Sequence, residues 1–181
     1  MNNIANQPNI QIDCLYSAAQ IQQRVQALAV QIDADYSQCT GELVLVGLLN
    51  GAVMFLADLS RTLQTPHRLD FMQVSSYGDQ QTSSGQLQIL KDLDDSIRGK
   101  YVLIVEDIID TGHTLQQTLA RLAERQPASL RVCTLLDKPS RRRVPVSVDY
   151  VGFQIDDVFV IGYGMDDAQQ YRHLPYIGVK R

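Results

Sequence analysis

The stretch VLIVEDIIDTGHT, residues 102–114, decides how the rest of the chain is read. Val102, Leu103, Ile104 and Val105 form a short continuous apolar run, the pattern of a strand covered on both faces, as in a parallel sheet. The run ends in Glu106 and Asp107. A third acid, Asp110, follows, and Thr111, Gly112, His113 and Thr114 lead into a helical pattern. In open α/β sheets, ligands bind beyond the carboxyl ends of the strands. A glycine-containing turn at a helix N-terminus offers backbone N–H groups to an anion, usually phosphate. The segment therefore predicts carboxylates and a phosphate cradle a few ångströms apart. A ligand with hydroxyls or a metal at one end and a phosphate at the other suits it, and a ribose 5-phosphate fits that description. One acid and one glycine would read as a solvated strand end and a tight turn; three acids, Thr-Gly and Thr in this order after a buried strand do not.

The flanking sequence supplies the rest of a sheet. Ile21, Val25, Leu28 and Ile32 recur at helical spacing from Ala18 onward, with Ser17 placed to cap the helix. Gly41 breaks that pattern, and Leu43 to Val46 form a buried strand. Residues 47–52 (GLLNGA) read as a glycine-punctuated turn, and Val53, Leu56, Ala57 and Leu63 as a helix ending before Pro66. Residues 69–74 read as a strand and the polar stretch 75–86 as a long mobile loop; loops of that length in a compact domain are usually functional. Residues 87–90 form a short strand, 92–99 a polar turn, 114–124 a helix with Leu115, Leu119 and Leu122 on one face, and 130–136 a third buried strand. Short β segments follow around Tyr150 and over 158–161. Residues 1–16 carry no strong pattern. Buried strands alternating with helices predict an α/β domain with a largely parallel sheet.

At 181 residues the chain has the length of about one domain. It is 45% hydrophobic and 20% charged, which excludes disordered and low-complexity classes. Sixteen Lys and Arg against 20 Asp and Glu give a net charge of −4, which argues against a nucleic-acid or anionic-membrane binder. Three widely spaced cysteines, Cys14, Cys39 and Cys133, suggest reduced thiols rather than a disulfide framework or a zinc site. No signal peptide is visible, and no apolar run approaches the ~18 residues of a membrane span. The expectation is a soluble cytoplasmic protein. His67 and His173 read as surface residues, Asp94-Asp95 and Asp156-Asp157 as turn acids, and Arg141-Arg142-Arg143 as a solvated loop or subunit contact rather than a nucleic-acid patch.

Residues 102–114 are similar to the phosphoribosyl-pyrophosphate (PRPP) signature of the type I phosphoribosyltransferases, and Val-Glu-Asp-Ile-Ile-Asp-Thr-Gly resembles the form found in the hypoxanthine-guanine branch. Other segments support the narrower match. Leu49-Asn50-Gly51-Ala52 falls where that family has its pyrophosphate loop. Ser76-Tyr77 matches its catalytic lid. Leu135-Leu136-Asp137-Lys138 matches the strand end with a purine-contacting lysine. Val151-Gly152-Phe153 and residues 159–166 (FVIGYGMD) resemble its purine-binding hood, and Arg172 falls at a basic pyrophosphate contact.

The resemblance implies one phosphoribosyltransferase-type domain over residues 1–181. It has a parallel-rich central sheet flanked by helices (core about 17–148), a small C-terminal hood (about 149–181, with N-terminal residues) and a flexible lid loop. It also implies roles. Glu106 and Asp107 hold the ribose hydroxyls, directly or through Mg²⁺. Thr111, Gly112, His113 and Thr114 cradle the 5′-phosphate, with Asp110 beside them as general base and acid at the purine N7. Leu49, Asn50, Gly51 and Arg172 bind pyrophosphate. Lys138 donates to the 6-oxo oxygen, Phe159 stacks on the ring, and the Val160 backbone reads its edge. Asp166 joins Glu106 and Asp107 around Mg²⁺, partly through water or substrate. The implied activity is purine salvage: transfer of phosphoribose from PRPP to hypoxanthine, guanine or possibly xanthine by a homodimer or homotetramer, with no nucleic-acid or membrane partner. Two positions depart from the pattern. Asn50 stands where many relatives carry Lys or Arg, and His113 where Lys is frequent. The alternatives are an enzyme for another base, against which Lys138 argues in the case of adenine, and a PRPP- or nucleotide-sensing regulator with little catalysis.

Overall fold

The computed structural model describes residues 11–76 and 87–180. Among them the chain runs β1 (Ile12–Tyr16), α1 (Ala18–Tyr36), β2 (Leu43–Leu49), α2 (Val53–Thr62), β3 (His67–Ser76), β4 (Leu87–Lys91), β5 (Tyr101–Ile109), α3 (His113–Ala123), β6 (Ser129–Asp137), a 3-10 turn (Pro139–Arg141), β7 (Tyr150–Gln154), β8 (Val160–Ile161) and β9 (Ile177–Lys180). Six strands form the central sheet in the order β4-β3-β2-β5-β6-β7, parallel except for β4. A three-stranded sheet, β1-β9-β8, brings the start and end of the described chain together.

Both faces of the central sheet are covered, as its unbroken apolar strands require. Leu43, Leu45, Leu103, Val105 and Leu135 pack with Ile21, Leu28, Ile32, Phe55 and Leu59 of α1 and α2. Val44, Val46, Val102, Ile104 and Val132 point the other way, towards Leu115 and Leu122 of α3. The α1 helix starts on a capping box in which Ser17 and Gln20 satisfy each other's backbone N–H groups. Its Arg24 donates to the carbonyls of Val151 and Gly152 at 2.5 and 2.6 Å, fastening the helix to edge strand β7.

Several expectations need correction. β2 continues through Gly47 to Leu49, because Gly47 is paired on both sides, with Phe71 and Val105, and Leu56 packs over it. β5 continues past Val105 to Ile109, held by β6 pairs such as Ile108 with Leu136, so Glu106 and Asp107 lie inside a strand. Ser75 and Ser76 belong to β3, paired with Gln88 and Leu87, so the expected loop is shorter than 75–86. Tyr77 and the rest of that loop lie outside the described residues. Residues 12–16, which showed no pattern, pair antiparallel with β9. His67 is half-buried, with Ser60 Oγ 2.8 Å from one ring nitrogen and the Thr65 carbonyl 2.7 Å from the other. No described helix is long and apolar enough to cross a membrane.

Leu103 lies at the middle of the sheet with no exposed surface. Leu103→Ala is expected to lower unfolding free energy by about 2–5 kcal/mol, read as a lower urea midpoint with an unchanged slope.

Candidate active site

The site follows from where strand pairing stops. β2 and β5 pair from Leu43 with Tyr101 to Gly47 with Val105, and no further. They are also the strands at which the sheet order reverses, with β3 to one side and β6 to the other. A crevice at the carboxyl ends of such a strand pair is where α/β sheets bind ligands. Leu49, Asn50 and Gly51 turn at one lip, with a cis peptide between Leu49 and Asn50. Glu106, Asp107 and Asp110 lie along the other. The lips touch: a Cβ at Gly51 would run into the Asp107 carboxylate, so only glycine fits there.

The two strand acids are held under electrostatic pressure. Glu106 Oε2 is buried and has no hydrogen-bond partner among the described residues. Burial, then the neighbouring Asp107 charge, pushes the Glu106 carboxyl well above its ordinary range. Burial likewise pushes Asp107 up to about 6, opposed by backbone N–H groups and by Arg172. A buried acid oxygen without a partner, as at Glu106, marks a place prepared for a ligand or cation.

Beyond them, Gly112 caps α3 at φ 88°, a left-handed conformation that glycine adopts without penalty. The α3 N-terminus has no side-chain cap, which leaves its first N–H groups to an anion. Thr111, His113 and Thr114 surround this turn, with His113 exposed.

A cavity of about 230 Å³ adjoins the acids, lined by Asp107, Asp110, Lys138, Phe159, Val160 and Asp166 among others. It therefore unites residues from β5, the end of β6 and the β7–β8 region. Larger cavities exist, including one of about 940 Å³ between α1, α2 and the C-terminal segment, but the acids and the lysine converge on the smaller one. Lys138 is 7% exposed, whereas Phe159 is 56% exposed, an unusual position for a large ring. Arg172 donates to the Gly164 carbonyl at 2.7 Å and pairs with Asp166 at 2.7 Å, bringing it beside Asp107. Asn50 is exposed on its loop. Ser76 ends β3.

Sequence reasoning missed the residues around the cavity rim. Arg141 and Arg142 are not a solvated run. Arg141 Nε donates to Asp110 Oδ1 at 3.1 Å, and the same guanidinium lies 3.5 Å from Asp157. Arg142 pairs with the buried Asp137 and donates to the Asp110 carbonyl at 3.1 Å. Asp157, read as a turn acid, lies 3.8 Å from Lys138 Nζ. Apart from Asp137, five residues before Arg142, these partners are distant in sequence, and no local pattern joins them.

A family profile described as "Phosphoribosyl transferase domain" matches residues 11–168. The hypoxanthine phosphoribosyltransferase of Salmonella typhimurium is 54% identical over 167 residues, 92% of this chain and 94% of that protein. The hypoxanthine-guanine phosphoribosyltransferase of Bacillus subtilis is 47% identical over 165 residues, 91% of each. A crystal structure of a hypoxanthine phosphoribosyltransferase from Staphylococcus aureus superposes with a TM-score of 0.89 at 44% identity, covering 93% of this chain and 91% of that one. Family profile, relatives and fold agree over most of the length, and the chain belongs to the hypoxanthine-guanine branch of the phosphoribosyltransferase family.

Proposed function

We propose that the chain is a purine-salvage enzyme that transfers the 5-phosphoribosyl group from PRPP to hypoxanthine or guanine, releasing pyrophosphate. The observation that carries this reading is the convergence of Asp110 and Lys138 on one small cavity beside Asp107, the unpartnered buried oxygen of Glu106 and the uncapped α3 N-terminus.

The purine occupies the cavity. Lys138 donates to its 6-oxo oxygen, which selects oxopurines over adenine, whose amino group also donates. Phe159 stacks on the ring and the Val160 backbone meets its edge. The ribose 5-phosphate lies on residues 111–114, with its hydroxyls towards Glu106 and Asp107. Pyrophosphate lies between residues 49–51 and Arg172. The purine nitrogen attacks C1, the bond from C1 to pyrophosphate breaks, and Asp110 takes the proton that leaves N7. The transition state has oxocarbenium character, so positioning and neutralisation of the leaving group supply most of the rate.

The acids also fit Mg²⁺. Among the described residues no three metal-ligating side chains gather into a closed site. The donors are all oxygens, and Mg²⁺ keeps waters and substrate oxygens as further ligands. Glu106, Asp107 and Asp166 would hold it, where it neutralises charge on the departing pyrophosphate. The orphaned Glu106 oxygen is the observation that fits this role. The working form is a homodimer or homotetramer, and the substrates are PRPP and a 6-oxopurine. The naming of the relatives as transferases supports the enzyme over a sensing regulator.

Nucleotide formation from PRPP and Mg²⁺, with hypoxanthine, guanine, xanthine, adenine and uracil in parallel, tests the reading. IMP or GMP should form rapidly and stop on chelation of the metal, and Asp110→Asn should slow kcat by about 10²–10⁴-fold. No product from any base would refute the proposal. Lys138→Ala should raise the KM for hypoxanthine by about 10–100-fold, the worth of a charged hydrogen bond, while the KM for PRPP stays put.

The buried acids also carry a stability cost. The folded Glu106 carboxyl titrates above its ordinary 4.5, so its ionisation opposes folding as pH rises past that value. In the ligand-free, metal-free protein, Glu106→Gln should raise Tm near pH 8 and leave it unchanged near pH 4, read by thermal unfolding at the two pH values. The same variant should bind PRPP more weakly.

A further inference from the structure

Four charged side chains of alternating sign stand in a row at the base cavity. Asp110 accepts from Arg141 at 3.1 Å, Arg141 lies 3.5 Å from Asp157, and Asp157 lies 3.8 Å from Lys138 Nζ. They come from three separate stretches: the end of β5, the turn after β6, and the β7–β8 connection. Asp110 and Lys138 line the cavity itself. Lys138 is buried, and Asp157 is the one carboxylate within 4.0 Å of its ammonium among the described residues. Without Asp157, two cations would face the base with Asp110 alone on this side. Asp107 and Asp166 line the cavity too, but Asp166 is paired with Arg172 and neither touches this row.

We propose that Asp157 is a specificity-determining residue. By balancing Lys138 it keeps this wall of the base cavity electrically neutral, and so it favours neutral 6-oxopurines over 2,6-dioxopurine (xanthine), which loses a ring proton near neutral pH. The inference rests on the reading of Asp110 and Lys138 as base contacts. Its physical content is that an ammonium shielded from water attracts an anion strongly unless a carboxylate already balances it. A fixed negative charge at the rim also repels the anionic competitor directly, which is selectivity achieved by disfavouring the wrong ligand. Asp157 is itself more than half exposed, so solvent screens it and the effect is several-fold rather than thousands-fold.

The test is kcat/KM for hypoxanthine, guanine and xanthine near pH 8, with saturating PRPP and Mg²⁺, on the wild type, Asp157→Asn, Asp157→Ser and Asp157→Glu. The Asn and Ser variants should raise the xanthine-to-hypoxanthine ratio by about fivefold, with the KM for PRPP unmoved, and Glu should restore the wild-type ratio. A merely structural role would depress all three bases together and leave the ratio alone. A ratio within about twofold of wild type in both neutral variants, or an equal loss with every base, would overturn the inference. Failure of the wild type to use any oxopurine would remove it together with the functional reading beneath it, and the wild-type rates alone tell that result apart from the others.

Discussion

Past the rung that joins Gly47 to Val105, β2 and β5 separate, and everything chemical in the molecule is arranged around that parting. Up to this rung the two strands satisfy each other's backbone and bury their side chains in two cores. Beyond it, β5 continues for four residues with β6 alone. Those residues include Glu106 and Asp107. Were β2 to follow β5 to its end, the acids would be sealed inside a sheet with no room for a ligand. Instead β2 turns at Leu49–Gly51 and closes back against Asp107, so the crevice is narrow, polar and placed between two rigid strands. Rigid elements hold chemical groups more closely than loops do.

That placement sets two carboxylates against each other in a poorly solvated site. Both proton affinities are raised by burial first; the Asp107 charge adds to the rise at Glu106, while backbone N–H groups and Arg172 oppose it at Asp107. A structure built only for stability would not retain Glu106 there, since its buried Oε2 has no partner among the described residues and a buried charge without one costs far more than a surface one. The base cavity is handled differently. There, Asp107 apart, the lining charges are paired: Asp110 with Arg141, Lys138 with Asp157, Asp166 with Arg172. On the function proposed above, the strand acids would meet a polyvalent, cation-bearing ligand, while the largely self-compensated cavity walls would suit a flat, uncharged one. The two halves of the site thus differ in electrostatic design as the two proposed substrates differ in charge.

How much of this could be read from the sequence depends on the range of the interaction that decides it. The segment from Val102 to Thr114 was legible because a buried strand, its terminal acids and a glycine turn are adjacent in the chain. The α1 and α2 helices were legible from apolar spacing, and Ser17 from capping chemistry. Strand ends were not. β2 and β5 each run three or four residues beyond their apolar cores, because pairing with neighbours far along the chain, rather than local hydrophobicity, sets where a strand stops. β1 escaped notice for the same reason: its partner is β9, at the far end of the described chain. The ion pairs of Arg141 and Asp157 were not legible, because each finds its partner only once β5, β6 and β7 lie side by side.

This difference of range bears on how the site divides its tasks. The residues proposed to handle phosphate and ribose lie within one contiguous stretch, bound to a strand end whose position the sheet dictates. Residues around the base come from the turn after β6 and the β7–β8 connection, held to the core by ion pairs and a few backbone bonds, such as Lys138 N–H to the Ile109 carbonyl at 3.0 Å and Arg143 N–H to the Thr111 carbonyl at 3.0 Å. Substitution in those connections alters charge and shape at the base without disturbing either core, because surface connections tolerate change that packed strands do not. A fold of this kind can keep one sugar-phosphate chemistry and change its base by small electrostatic steps. The exposed Phe159 and the half-exposed Asp157 stand where such steps cost the least stability.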